Sequence, residues 1–168
     1  MKKIIFAILI LGSSLVINAQ NLDDFKARYI INFANQTEWP TSYKTGDFII
    51  GVLGTSPVTK SLQGFSANQK VGSQPIKVVL FSNVNTITKC NVLFVPSSQS
   101  KNLSKVLNKI GSGSTLIVTD KEGLAKQGAM LNFVLVNNKL NFEANKNNLS
   151  KNSLKITAYL EKLAILVN

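Results

Sequence analysis

The sequence predicts an α/β fold, a mostly parallel central sheet flanked by helices in a Rossmann-like sandwich, closed by an antiparallel hairpin near its C-terminal end. Two patterns carry this. Short apolar runs rich in Val, Ile and Phe alternate with helical stretches, which calls for crossover connections between parallel strands. Late in the chain, Met130 to Val136 and Lys139 to Glu143 flank Asn137-Asn138, a two-residue spacing suited to a tight turn because Asn tolerates positive φ.

The elements follow in order. Asn21 reads as an N-cap, with Asp23 and Asp24 in a first turn where carboxylates oppose the positive helix end. Leu22, Phe25, Tyr29, Phe33 and Ala34 recur at the spacing of one buried stripe, and Trp39-Pro40 closes the segment. Phe48 to Leu53 is a strand ending at Gly54, and Pro57 suits the first turn of a helix. Pro75 to Phe81 and Asn91 to Val95 lack clean alternation and read as strands buried on both faces. Ser100 to Ile110 is a helix ended by Gly111. Ser114 to Thr119 is a further buried strand, with Asp120 as N-cap of a short helix over Lys121 to Gln127. The spacing of Leu154, Ile156, Leu160, Leu163 and Ala164 predicts a last helix packed on the sheet, with a final few residues that could be extended.

The N-terminus has the layout of a secretory signal peptide. Lys2 and Lys3 precede the apolar stretch Ile4 to Leu11, and Ala19 stands before the expected cut. The run is broken by Gly12, Ser13 and Ser14, short of the roughly 20 apolar residues of a membrane span. The expectation is a signal peptide over 1–19 and a single domain over 20–168, placed in the periplasm with no membrane span after cleavage.

Composition excludes much chemistry. With no His and a single Cys, Cys90, the chain cannot build a Ser-His-Asp triad, a Cys-His pair, a His-based zinc site or a Cys cluster. None of its eight carboxylates forms an evident acid/base pair in sequence. No catalytic residue, metal site or cofactor is expected. Lys and Arg outnumber Asp and Glu by 19 to 8, and by 17 to 8 once Lys2 and Lys3 are removed. The basic residues are spread singly and are not interleaved with aromatics, so nucleic acid is not the expected partner. An anionic envelope component or an acidic partner fits better.

Lys26 to Phe33 with Glu38-Trp39-Pro40, Phe48 to Gly54 with Pro57, Cys90 to Val95 with Ser97 and Ser98, Leu116 to Asp120 with Gly123, Gly128 to Phe133, Asn138 to Asn145, and Leu154 to Thr157 follow one another along the chain. Taken together in that order, these segments resemble the YfiR-like (HmsC-like) family of periplasmic regulators. The resemblance implies a protein that binds the periplasmic sensor region of an inner-membrane signalling enzyme, a diguanylate cyclase or a histidine kinase, and holds it inactive. It leaves open an outer-membrane partner and a homodimer. Ala129 stands where a second Gly is usual, and Tyr159 at a place often basic. Relatives often carry disulfides, whereas Cys90 has no internal partner and is expected as an unpaired, buried thiol.

The candidate partner or ligand surface comprises Glu38, Trp39, Gly54, Thr55, Ser56, Asp120, Asn132, Phe142, Glu143 and Lys155. Gly54 to Ser56 and Asp120 are singled out because ligands in open α/β sheets lie beyond the carboxyl ends of strands. Each has a plainer reading: a core plug for Trp39, a tight turn for Gly54 to Ser56, an N-cap for Asp120 and a solvated face for a Glu143–Lys155 contact. The alternative function is a periplasmic small-molecule binding protein feeding a sensor kinase or transporter.

Overall fold

A computed structural model describes residues 19–168, so the expected signal peptide over 1–19 falls almost wholly outside the described residues. Helix α1 spans Ala19–Asn35, which places Asn21 inside the helix and not at its cap. Strand β1 (Thr37–Glu38) follows, then β2 (Phe48–Leu53), α2 (Val58–Ser66), β3 (Lys70–Val71), β4 (Gln74–Phe81) and β5 (Val92–Val95). Next come α3 (Leu103–Ile110), β6 (Leu116–Thr119), β7 (Leu131–Val136), β8 (Lys139–Asn145), α4 (Lys146–Lys151), β9 (Lys155–Ile156), α5 (Ala158–Leu163) and β10 (Ile165–Val167).

The strands form an eight-stranded sheet of order β10-β8-β7-β6-β5-β2-β4-β3, with a small antiparallel ribbon of β1 and β9 beside it. Pairings from β4 through β2, β5 and β6 to β7 are parallel, and β7 with β8 is the antiparallel hairpin. Asn137 and Asn138 take φ of 50° and 60° at its turn, as their position requires. The α/β class with a mostly parallel sheet is therefore the architecture of this chain.

Pleating assigns the faces. Val118 pairs with Leu131, so Val118, Leu131, Phe133 and its partner Phe142 share one face while Ile117 points to the other. Helix α1 covers the first face, where Tyr29 and Phe33 meet Phe133 and Phe142 with ring centroids 4.8 to 6.1 Å apart. Leu107 of α3 belongs to the opposite side, where it lines a cleft with Ile117 and Met130. The central strands β5 and β6 are buried at every residue because both faces are covered.

Four local expectations are corrected. The buried stripe of α1 is Ala27, Ile30, Ile31, Phe33 and Ala34, and Phe25 is exposed. Strand β4 is not buried on both faces: Leu80 is exposed and Ile76, Val78 and Val79 are only half-buried, because the sheet ends one two-residue strand further out. Residues 121–127 form turns and one 3-10 turn, Ala125–Gln127, in place of a helix; Gly123 at φ +80° breaks the run. The C-terminal stretch is not one helix. Thr157, whose hydroxyl accepts from the Leu160 amide, starts α5 anew after β9, and β10 then returns to pair parallel with β8.

Candidate functional site

Strand β6 ends at Thr119, and β7, paired with it through Leu131 and Asn132, runs on to Val136. Four residues of β7 thus project past β6, roughly 13 Å at the rise of a strand. The notch left beyond the end of β6 is a cleft of about 460 Å3. Its walls are Leu22 and Lys26 of α1, Asp120 and Glu122 after β6, and the hairpin with Glu143 and Ile165. This is the strand-end position where such sheets hold ligands.

Asp120 is fixed from two directions. Its carboxylate receives Lys26 Nζ at 2.7 Å and also accepts the Ser97 amide from the turn after β5. The N-cap reading is therefore wrong: the side chain is spent on α1 and a neighbouring turn, and the 3-10 turn that follows begins from Leu124. Both partners are largely out of water, the side chains of Lys26 and Asp120 being 14% and 8% exposed. In that setting a pair holds elements in place, and loss of one partner strands the other charge.

Beside it lies a neutral-to-charged relay. Thr119 Oγ1 donates to Asn132 Oδ1 at 2.6 Å, and Asn132 Nδ2 donates to Glu143 Oε2 at 2.8 Å. Asn132 is fully buried, so its amide is committed in both directions and aims Glu143 into the cleft wall. Burial pushes the Asp23 carboxyl above its ordinary range; Lys26 opposes this, while Asp120 and Asp24 add to it.

The other candidates fall elsewhere. Trp39 is core: its indole N–H donates to the Ala34 carbonyl at 2.9 Å and its ring meets Phe48 edge-on at 5.2 Å. Phe142 is buried against Phe33. Gly54 to Ser56 form a bend after β2 in which Gly54 has φ +70°, a backbone conformation that favours glycine. Glu38 and Lys155 face each other in register on the β1–β9 ribbon, 4.0 Å apart and well exposed. Lys155 accordingly does not contact Glu143, whose partner is Asn132.

Three of the ten candidates, Asp120, Asn132 and Glu143, come together. Lys26, Glu122 and the apolar tip of the hairpin were missed. The tip had a signal in Val134-Leu135-Val136, an apolar run reaching the turn without polar alternation. Cys90 is buried, and burial pushes its thiol up to about 12, against a lowering contact with Thr115. It is a core side chain and not a reactive one.

Among the described residues no helix is long and apolar enough to cross a membrane. A family model described as YfiR/HmsC-like matches residues 23–165, most of the chain, from within α1 to the first residue of β10. No curated protein matches.

Proposed function

The chain belongs to the YfiR/HmsC-like family, and from that membership we propose that it is an exported, periplasmic regulatory protein of one domain over 20–168. It binds the periplasmic sensor region of an inner-membrane signalling enzyme, a diguanylate cyclase, and represses it, so that cyclic di-GMP rises when it lets go. It does this by contact and not by turnover. The family match across residues 23–165 is the observation that carries the reading. Composition agrees with it, because the chain has no His and a single buried Cys. Release cannot run through an internal disulfide, because the chain has a single Cys.

The test is genetic and quantitative. Deleting the gene raises cellular cyclic di-GMP, and restoring the exported chain lowers it again; unchanged cyclic di-GMP in both strains refutes the proposal. A second reading, a small-molecule binding protein, is favoured by one observation: the cleft of about 460 Å3 lies within the roughly 300–1,000 Å3 of ligand pockets. A thermal-shift screen finding a stabilising ligand would support it.

A further inference from the structure

The surface around the strand-end cleft has an apolar rim that the fold does not use. Leu135 and Val136 at the hairpin tip are 62% and 40% exposed, and Ile165 of β10, which lines the cleft with them, is 40% exposed. Contiguous apolar surface rimmed by polar groups marks interaction sites. Strand β10 is also an edge: it pairs with β8, and among the described residues no strand covers its outer side. Ile165-Leu166-Val167 carries neither a charge nor a proline, the devices by which sheets guard their edges against pairing.

Charge states what kind of partner suits this rim. Basic residues outnumber acidic ones by 19 to 8, yet Asp120, Glu122 and Glu143 all line the cleft, and Asp23 lies close enough to Lys26 and Asp120 of its wall for their charges to act on its carboxyl. Among the described residues Lys26 is the one basic side chain in the lining, and it is taken by Asp120. Of the four remaining carboxylates, Asp24 accepts from the Ser61 hydroxyl of α2, and Asp47, Glu161 and Glu38 each lie within 4.0 Å of a lysine elsewhere on the molecule. The cleft is thus an acidic spot on a basic protein, and such a concavity focuses its field on an incoming cation. A second copy of the chain would bring a large net charge of the same sign as the first.

We propose that the cleft and its rim seat an extended polypeptide segment of the partner protein, one that carries a Lys or Arg flanked by apolar side chains. The cation lies between Glu122 and Glu143, and the apolar neighbours cover Leu135, Val136 and Ile165. This rests on the protein-docking reading above and names the chemistry of the partner's contact. It also gives a route to release, since a competing cation or a change at the rim loosens the segment without any redox step.

The probe is an array of random nonapeptides presented to the mature chain. Bound peptides are expected to be enriched in Lys or Arg beside Leu, Ile, Val or Phe, and their binding to weaken with salt. Both Leu135→Asp and Glu122→Lys should weaken binding at least about tenfold. Each changes an exposed side chain, so unaltered circular dichroism and melting temperature will separate lost binding from lost fold. Enrichment of acidic peptides, or of none, overturns the proposal. So does a dimer in light scattering that Leu135→Asp dissolves, which would give the rim to a second copy. Stabilisation by phenethylamine as strong as that by the best peptide also overturns it, in favour of a small amine. If cyclic di-GMP control holds while the peptide preference is absent, the regulatory reading stands and this one fails.

Discussion

The two halves of the β7–β8 hairpin have nearly the same composition and opposite fates. At its base, Leu131, Phe133, Phe142 and Ala144 are buried, with both rings packed under Tyr29 and Phe33 of α1. Two residues further on, Leu135 and Val136 stand in solvent, past the end of β6. Apolar side chains at the base serve stability; those at the tip are the ones proposed above to meet a partner. Burial, not residue type, separates the two roles.

That contrast is most sharply broken from the base. Phe142→Ala is expected to cost about 3–5 kcal/mol in chemical denaturation, the range for removing a core aromatic. A loss under about 1 kcal/mol would mean the base is as loose as the tip. The next effect belongs to the seam between the halves. Asp120→Ala strands the Lys26 charge and the Ser97 amide, and should cost about 3 kcal/mol. The double change Lys26→Met with Asp120→Asn should recover most of that, because no charge is then left unpaired; failure to recover would show that the ion pair itself, and not the penalty of a stranded charge, holds α1 against the sheet.

Much of the fold was legible because β2, β5 and β6 are covered on both faces and so read as unbroken apolar runs. Strand β4 shares the Ile, Val, Leu and Phe of those runs but also carries Gln74, Pro75 and Lys77 and lies next to a two-residue edge strand, and sequence pattern does not report how many neighbours a strand will find. The C-terminal stretch misled because Leu154, Ile156 and Leu160 are all buried, as a helical stripe would have them, although they belong to β9, its approach and α5. At the site, Asp120 was reachable from its place at a strand end. Its partner was not, because Lys26 lies 94 residues away and looks like any other solvated lysine on a helix.

The smallest effect sharpens the electrostatic side of the comparison. The raised Asp23 carboxyl means that the folded state holds its proton more tightly than the unfolded chain. The associated stability is fully present below the unfolded value of 3.8 and is lost as pH rises through the higher folded value. Asp23→Asn should therefore raise the melting temperature slightly at neutral pH and not at all at strongly acidic pH. A variant less stable than the parent at neutral pH would contradict a carboxylate penalised first by burial and then by the neighbouring Asp120 and Asp24.

Site-directed cross-linking in the periplasm bears most directly on the central claim that this regulator holds its sensor through the strand-end cleft. A photo-reactive residue is placed at position 135 on the hairpin tip or at position 105 on α3, both exposed and on different parts of the molecule. The account predicts an adduct with an inner-membrane diguanylate cyclase from position 135 and none from position 105. Adducts of equal yield from both, or from position 105 alone, would contradict it.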